Sequence, residues 1–347
     1  MLSKQKEGRI VLAIDAMGGD HAPNAVIEAA NLVLEDKSCK DVYFKIFGKK
    51  DKIIPLLKKF PKLINSSKLV HADQVVSNDE IPSSAIRNCK KSSMQMAINA
   101  VKSQDAHAVV SAGNTGALMA MSTITLRTLP QIHRPAIITF LPSEKGRVAV
   151  LDLGANVESD ANNLYQFAIM GEVFVKILEK KEKPSIGLLN IGSEEIKGKD
   201  SVKLAYSLLK NSTVPINFVG YVEGNDVASG EIDVVVTDGF TGNILLKSIS
   251  GYAKVYVHFM KKAFTSSLLS KLHYLFSKPS LNKLSKSLDS RMYNGAMLIG
   301  LNGVVVKSHG SMDSVGIANA IKTAYNLSKN NINEQICEEI IQSDHLE

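Results

Sequence analysis

The fold of this chain is decided by the stretch Asp233-Val-Val-Val-Thr-Asp-Gly-Phe-Thr-Gly-Asn-Ile-Leu-Leu-Lys247. Its valines predict a short buried strand, the segment 238–243 predicts a tight glycine turn, and the apolar residues after it predict the first turn of a helix. Main-chain N–H groups at such a turn, together with the positive end of the helix dipole, can bind an anion. The alternative is an ordinary connection in an α/β domain, in which the glycines only permit close packing.

Strands and helices alternate along the rest of the chain. The predicted strands are residues 10–14, 42–47, 69–70, 108–110, 136–140, 148–151, 186–189, 216–219, 232–236 and 304–306. The predicted helices start near residue 24 or cover residues 84–101, 115–126, 161–178 and 201–209. This order predicts the α/β class, as an α/β/α sandwich whose mainly parallel sheet is covered on both faces.

Length and composition limit the kind of protein. At 347 residues the chain can form one large α/β domain or two smaller lobes, and 45% hydrophobic against 22% charged residues indicates a globular protein. The cysteines Cys39, Cys89 and Cys337 are far apart, so they predict neither a disulfide framework nor a CxxC metal pair, and a reducing cytoplasm fits. No stretch has the roughly 18 uninterrupted apolar residues that a membrane span needs, so any membrane contact is expected to be peripheral.

The net charge of +7 is concentrated in one segment. Between residues 251 and 288 there are seven lysines and no acidic residue. From Val255 to Leu288 apolar residues recur every three or four positions, which predicts a basic amphipathic helix, or two helices separated at Pro279. Such a face attracts anionic lipid or an acidic protein, and its confinement to one segment argues against nucleic acid as a partner. The alternative is a surface helix packed on the core.

Six loops that follow predicted strands are rich in glycine and small polar residues. They cover 15–21, 111–116, 152–156, 190–198, 238–243 and 307–310. Ligands of parallel α/β sheets bind beyond the carboxyl ends of the strands, so these loops are expected to share one rim.

Several familiar sites are absent from this sequence. There is no GxGxxG dinucleotide fingerprint with a downstream acidic residue, no GxSxG elbow around Ser111 and no HExxH zinc motif. A P-loop is excluded as well, because Gly192 and Gly198 are six residues apart and Asp200 stands where Ser or Thr is required. Nothing in the sequence predicts a metal or a cofactor.

The loops 111–116 and 239–243 predict a phosphate or oxyanion site instead. Each places a hydroxyl, an amide side chain and glycine N–H groups at the start of a helix. Nearby side chains that could add positive charge or transfer a proton are Lys197, Lys247, Lys307, His21 and His309. The alternatives are solvated surface lysines and histidines that only make structural hydrogen bonds.

Six motifs agree in content and order with those of one known family. They are Asp15-Ala-Met-Gly-Gly-Asp-His-Ala-Pro23, Val110-Ser-Ala-Gly-Asn-Thr-Gly-Ala-Leu118, Leu151-Asp-Leu-Gly-Ala-Asn156, Leu189-Asn-Ile-Gly192 with Lys197-Gly198, Asp238-Gly-Phe-Thr-Gly-Asn243 and Lys307-Ser-His-Gly310. From Ile10 to Ala324 the chain therefore resembles the bacterial phosphate acyltransferases. The departures are a short extra leader and Ser193, which lies at a position expected to vary.

This resemblance implies a function and an organisation. The implied enzyme converts long-chain acyl-[acyl carrier protein] and inorganic phosphate to acyl phosphate and free carrier protein, for phospholipid synthesis. It implies a fold akin to the phosphotransacetylases and the isocitrate dehydrogenase group. It also implies a cytoplasmic homodimer that attaches peripherally to the anionic membrane surface, with the downstream glycerol-3-phosphate acyltransferase as a further partner. Residues 1–9 are then a polar leader and residues 10–347 the catalytic domain, which includes the basic segment at about 252–288.

The chemistry of that reaction agrees with the residues present. Phosphate is already nucleophilic at neutral pH and a thiol leaves readily, so neither a strong base nor a metal is required. The enzyme must hold phosphate against the thioester and stabilise the oxyanion. The expected catalytic residues are Lys197, Asn243, His21 and His309. The expected substrate-binding and phosphate-binding residues are Asp15, Gly18, Gly19, Ser111, Gly113, Asn114, Thr115, Asn156, Asn190, Asp238, Thr241, Gly242 and Lys307.

Two other functions remain open at the level of the sequence. One is a phosphotransacetylase-like enzyme that uses acyl-coenzyme A. The other is a non-catalytic membrane scaffold or regulator that senses phosphate or acyl chains through the same loops. Only an assay of acyl phosphate formation separates the three.

Overall fold

A computed structural model of the chain describes residues 8–267, 277–278 and 289–344. The strands in this part are β1 (Ile10–Asp15), β2 (Val42–Gly48), β3 (Ser67–His71), β4 (Ala108–Ser111), β5 (Ala136–Ser143), β6 (Gly146–Leu151), β7 (Ser185–Leu189), β8 (Asn217–Val222), β9 (Val234–Val236), β10 (Ala296–Ile299) and β11 (Val304–Lys307). The helices are α1 (Asn24–Glu35), α2 (Lys50–Leu57), α3 (Pro61–Asn65), α4 (Pro82–Asn88), α5 (Ser93–Lys102), α6 (Thr115–Leu126), α7 (Ala161–Glu179), α8 (Asp200–Lys210), α9 (Gly224–Ser229), α10 (Gly239–Thr265), α11 (Ser314–Lys329) and α12 (Ile332–Asp344).

The described strands form one sheet of eleven, in the order β3-β2-β1-β4-β11-β10-β5-β6-β9-β7-β8. The first five strands of this order are parallel to one another, and so are the last four. Antiparallel pairing links the halves, from β11 to β10, from β10 to β5 and from β5 to β6. The predicted α/β fold with a mainly parallel sheet is confirmed, but strand direction reverses between its two halves.

The core lies on both faces of the sheet. Along β1, Leu12 and Ile14 pack into one apolar cluster while Val11 and Ala13 pack into another, because successive side chains of a strand point to opposite faces. The first cluster is covered by helices that include α1, α7 and α11, and the second by α5 and α6. Both faces of the sheet are therefore buried, as the apolar runs predict.

Several elements differ from the prediction; besides the unpredicted helices α2, α3, α9 and α12, two differences concern the frame of the sheet. The helical pattern at 84–101 is divided into α4 and α5, and the Ser92 hydroxyl caps α5 by accepting a hydrogen bond from the Gln95 N–H at 3.2 Å. Strand β10 was not predicted, because its apolar run is short and bounded by Gly295 and Gly300.

Helix α10 has 27 residues and joins two features that the sequence treats separately. It begins at the glycine turn after β9 and continues into the basic segment. Beyond Ser250 it is exposed on nearly all sides, and Val255, Val257 and Phe259 are 48%, 58% and 61% exposed. The rest of the predicted basic helix, at 268–276 and 279–288, lies outside the described residues. None of the described helices is long and apolar enough to span a membrane.

Candidate active site

The polar loops form two groups, which corrects the expectation of a single rim. Because strand direction reverses across β10 and β5, the loops after β1, β4 and β11 follow strands that run opposite to those before the other loops. We call the first group, formed by residues 15–21, 111–116 and 307–310, the Asp15 cluster. The second group, formed by residues 152–156, 190–199 and 238–243, is the Asp152 cluster.

The Asp15 cluster is built on three adjacent strand ends. Asp15, Ser111 and Lys307 end β1, β4 and β11 and lie at the same register position. The Ser111 hydroxyl donates to Asp15 Oδ2 at 2.7 Å and accepts from the Gly113 N–H at 3.1 Å. The parallel register alone therefore brings a carboxylate, a hydroxyl and an ammonium together.

Burial and charge shift the pKa values of two of these groups in opposite directions. Burial raises the pKa of Asp15, while hydrogen bonds from Ser93, Ser111 and the Met17 N–H and the charge of Lys307 oppose that rise. Partial burial lowers the pKa of Lys307 to about 8, although Asp15 and Asp20 favour the ammonium form. The Lys307 ammonium donates to the main-chain oxygens of Ala112, at 3.5 Å, and of Ser308. Such a partly desolvated cation can attract phosphate strongly.

Two glycines allow the loops of this cluster to touch. A Cβ atom on Gly18 would lie 2.6 Å from the Gly113 nitrogen and 2.7 Å from Asp15 Oδ2. Gly19 has a φ of +100°, and a Cβ there would lie 2.9 Å from the Ala112 Cβ. Any larger residue at these positions would separate the loops after β1 and β4.

Both predicted histidines lie at the Asp15 cluster. His309 is exposed, and its Nδ1 is 3.0 Å from the Ser311 hydroxyl. Partial desolvation lowers the pKa of His309, as do the positive charges of Lys307 and Lys254. His21 is also exposed, and its main-chain oxygen accepts the Ala25 N–H at the start of α1.

Asn294 is a residue of this cluster that the sequence interpretation missed. Its side-chain amide donates at 2.8 Å to both the Ser308 hydroxyl and the Gly316 oxygen, and its Oδ1 accepts from the His309 N–H at 2.9 Å. Asn294 thus fixes the loop that carries Lys307 and His309. It lies on a loop outside every motif, so no local pattern could have found it.

Asn114 uses its hydrogen-bonding groups within the protein. Its Oδ1 caps α6 by accepting the Ala117 N–H at 3.0 Å. Its Nδ2 donates to the main-chain oxygens of Ser77, Asn78 and Glu80 at 3.3, 2.9 and 2.9 Å. Asn114 therefore fastens the segment 77–80 over the start of α6, while Thr115 occupies the first position of the helix and is exposed.

The Asp152 cluster is organised by a buried carboxylate. Asp152 accepts hydrogen bonds from the main-chain N–H groups of Ile137, Gly154, Ala155 and Asn156 at 2.7 to 3.1 Å and from the Asn156 side chain at 2.9 Å. Burial raises the pKa of Asp152, and these bonds oppose that rise. The side chain of Asn156 also donates to the Pro135 oxygen at 2.7 Å, so Asn156 is a structural part of this loop.

The glycine turn after β9 packs on this carboxylate. A Cβ on Gly242 would lie 1.9 Å from the Asp152 main-chain oxygen, and Asn243 faces Gly154. Asp238 Oδ1 caps α10 by accepting the Thr241 N–H at 2.7 Å, and its Oδ2 accepts from the Lys199 ammonium at 2.8 Å. The N-terminus of α10 is thus already occupied by a carboxylate of the chain itself.

In the loop after β7, the predicted Lys197 does not contact the glycine turn after β9, and the neighbouring Lys199 does. Lys197 is half exposed and its ammonium pairs with Glu194 at 2.7 Å, whereas Lys199 is the lysine that contacts Asp238. Asn190 holds the loop together by donating to the main-chain oxygens of Gly192 and Lys197, both at 3.1 Å. Lys247 lies exposed on α10.

Comparisons with known proteins place the chain among enzymes. A family model described as "Fatty acid synthesis protein" matches residues 10–335. A phosphate acyltransferase of Rhodospirillum centenum is 51% identical over 332 residues, which are 96% of this chain and 93% of that relative. Phosphate acyltransferases of Legionella pneumophila and of Wolbachia pipientis wMel are 48% and 46% identical, with 95% and 94% of this chain covered and 96% and 95% of theirs.

Solved structures of lower identity share the fold. A phosphotransacetylase from Streptococcus pyogenes superposes with a TM-score of 0.59 at 17% identity, with 95% of each chain covered. The EutD phosphotransacetylase from Staphylococcus aureus gives a TM-score of 0.57 at 16% identity, with 94% of each chain covered. These likenesses support the architecture described above.

Proposed function

Because the chain belongs to the phosphate acyltransferase family, we propose that it transfers a long-chain acyl group from acyl carrier protein to inorganic phosphate. In this reaction an oxygen of hydrogen phosphate attacks the thioester carbonyl and the carbon–sulfur bond breaks. The proton of the hydrogen phosphate passes to the departing thiolate. The products are acyl phosphate and the free carrier thiol, so atoms and charge balance.

The observation that supports this proposal most strongly is the alignment of Asp15, Ser111 and Lys307 on three adjacent strand ends. Lys307 would bind phosphate, since its partly desolvated ammonium would attract the anion strongly. Asp15 carries the same sign of charge as phosphate, so its role would be to orient Ser111 and to keep Lys307 protonated. His21 and His309, which are exposed residues of the Asp15 cluster, would orient the substrates.

The Asp152 cluster would contact the long acyl chain of the donor rather than its thioester. Thr241, Gly242 and Asn243 form the first turn of α10 there. The sequence predicts that Lys197 stabilises the charge on the thioester oxygen, but its loop lies at the opposite end of the strands from the Asp15 cluster and its ammonium pairs with Glu194, so substitution of Lys197 tests this role. Helix α10 extends from one cluster to the other. It begins directly after Asp238, and its Lys254 is close enough to His309 to lower the pKa of that imidazole.

One assay tests the reaction and its alternatives. The purified protein is mixed with phosphate and a long-chain acyl group, presented either on carrier protein or on coenzyme A, and acyl phosphate is measured. Product from the carrier thioester supports the proposal. Product from acyl-coenzyme A alone would indicate a phosphotransacetylase-like enzyme, and no product from either donor, with binding demonstrated, would indicate a regulator or scaffold.

The exposed part of α10 supports a homodimer and peripheral membrane attachment of a cytoplasmic protein as further proposals. Its uncovered apolar side chains would pack against a second copy, and Lys254, Lys261 and Lys262 would meet anionic headgroups. Attachment there would deliver acyl phosphate to the downstream glycerol-3-phosphate acyltransferase at the membrane. Vesicle flotation of a Lys254→Glu/Lys261→Glu/Lys262→Glu variant tests this: loss of flotation with unchanged soluble turnover favours lipid, and a raised KM for carrier protein favours carrier docking.

A further inference from the structure

A second basic surface lies far from α10 in the sequence. Between residues 49 and 62 there are six lysines and one acidic residue, Asp51. The lysines lie in or directly beside helices α2 and α3 and are exposed or, for the first, partly exposed; they are Lys49, Lys50, Lys52, Lys58, Lys59 and Lys62. We call these six residues the lysine surface.

The charges of the lysine surface are not balanced within the chain. None of the six ammonium groups forms a salt bridge with a residue in the described part, where other lysines such as Lys45 and Lys322 pair with Asp105 and Asp36. The acidic groups near these helices are Asp51, on α2 itself, Asp73, which pairs with His71, and Glu28 and Glu35 on α1, which packs on α2 and α3 but forms no salt bridge with the six lysines in the described part of the chain. Uncompensated like charges create a positive potential that attracts acidic partners and accelerates their association.

The lysine surface begins beside the Asp15 cluster. The Ala16 N–H donates to the Phe47 oxygen at 2.9 Å, and a Cβ on Gly48 would lie 2.9 Å from the Met17 side chain. The turn from β2 into α2 therefore touches the loop that follows Asp15, and Lys49 and Lys50 come directly after this contact. A protein bound on the lysine surface would therefore lie next to the Asp15 cluster.

The side chains of this surface suit a soluble protein better than a lipid bilayer. Lys50, Ile54 and Lys58 follow one another at helical spacing, so a single apolar side chain lies between two charges. Ile54 and Ile64 are the large apolar side chains exposed on α2 and α3, at 43% and 46%. A membrane-binding helix needs a continuous apolar face to enter the headgroup region, whereas an acidic protein that must dissociate after every turnover is served by charge.

We propose that the lysine surface is the docking site of the acidic acyl carrier protein, which places its thioester at the Asp15 cluster. This inference rests on the proposed function, because it takes the carrier thioester as the acyl donor. The carrier's acidic side chains would lie against Lys50, Lys58 and their neighbours, with Ile54 in a small apolar contact. Acylated and free carrier protein would both bind through exposed charges, so docking is fast and weakens as the salt concentration rises.

A charge reversal with a matched control tests the docking site. The variant Lys50→Glu/Lys58→Glu is compared with Lys37→Glu/Lys40→Glu, whose exposed lysines lie before the amino end of β2, at the opposite end of the same strand. We expect the first variant to raise the KM for acylated carrier protein about tenfold or more, with little change in the KM for phosphate. The control is expected to keep both values. Unchanged melting temperatures would show that both variants are folded.

The outcomes separate this inference from the proposed function. An unchanged KM for the carrier in Lys50→Glu/Lys58→Glu, or an equal rise in the control, would overturn the docking site. Loss of binding to vesicles of anionic lipid with an unchanged KM for the carrier would assign the surface to the membrane and also overturn it. If the wild-type protein forms no acyl phosphate, the proposed reaction fails, and direct titration with carrier protein still decides whether the lysine surface binds it.

Discussion

At the scale of single residues, the charge on Lys307 is expected to control phosphate binding. The pKa of its ammonium is lowered to about 8 by desolvation, so the cation is lost as pH rises through that value. Phosphate becomes more negative over the same range, which would by itself strengthen its attraction to a cation. An increase in the KM for phosphate as pH passes about 8 therefore reports on Lys307.

Two substitutions isolate the contribution of Lys307. Lys307→Met removes the charge and should lower kcat/KM for phosphate about 10²-fold or more, as measured by steady-state kinetics. Lys307→Arg keeps a cation that stays charged in this range, so the increase in KM near pH 8 should disappear. An identical pH profile in Lys307→Arg and wild type would contradict the assignment.

Asp15 should act through Lys307 and Ser111. Its negative charge favours the ammonium form of Lys307, so Asp15→Asn is expected to move the loss of phosphate binding to lower pH. The shift would be read from the KM for phosphate across a pH series. Asp20 favours the same ammonium form, so Asp20→Asn should shift the profile in the same direction, and a shift to higher pH in either variant would argue against this role.

Lys197 is the catalytic lysine that the sequence proposes in the Asp152 cluster. Lys197→Ala should lower turnover about 10²-fold or more if its ammonium stabilises the oxyanion. Lys203→Ala is the control, because Lys203 is a partly exposed lysine that also pairs with a carboxylate three residues away, Asp200, at 3.8 Å. Turnover of Lys197→Ala close to that of the control would remove Lys197 from the catalytic set.

The residue types of the site were predictable, but their partners were not. The sequence predicts Asn114, Asn156 and Asp238 as ligands because they lie in polar loops that follow strands, but short polar side chains are also good helix caps and turn residues. In this structure their hydrogen bonds are used within the chain. Only the contacts of distant segments, such as 77–80 with Asn114, distinguish a cap from a ligand.

At the scale of elements, the start of α6 depends on Asn114. Asn114→Ala removes the helix cap and the bonds to three main-chain oxygens, and it should lower the free energy of unfolding by about 1–2 kcal/mol. Chemical denaturation measures this change. Asn31→Ala is the control, since the Asn31 side chain bonds to Glu35 on the surface of α1 and its removal should cost much less. Equal losses in the two variants would contradict the capping role.

Most elements follow from local pattern, and the exceptions have local causes. The predicted helix at 115–126 has the bounds of α6, and the helix expected near residue 24 is α1. The break between α4 and α5 depends on how Ser92 caps the second helix, which the apolar spacing does not reveal. The sequence also does not predict that α10 is one continuous helix, because its glycine turn and its basic part have different compositions.

At the scale of the whole molecule, the reversal of the sheet divides the loops into two clusters. An apolar run predicts a strand but not its direction, because direction is set by pairing with distant strands. One signal was available: only Glu144 and Lys145 separate β5 from β6, and a parallel crossover needs a dozen or more residues. That hairpin, with β10, turns one parallel sheet into two opposed halves.

A single copy of the chain leaves apolar side chains in the second half of α10 exposed, so we expect a second copy to cover them. Val255 and Phe259 lie one turn apart on one face and are 48% and 61% exposed, so no described segment covers them. Val255→Glu/Phe259→Glu should convert a dimer into monomers in light scattering while the melting temperature of the fold stays nearly constant. Ser250→Glu, on the opposite face of the helix, should leave the mass unchanged. A wild-type mass that is already monomeric, or a variant that keeps the dimer, would show that this face is not a dimer interface. Loss of vesicle flotation in the same variant would then assign the face to the membrane, because glutamate is repelled by anionic headgroups and cannot enter the apolar acyl boundary as Phe259 can.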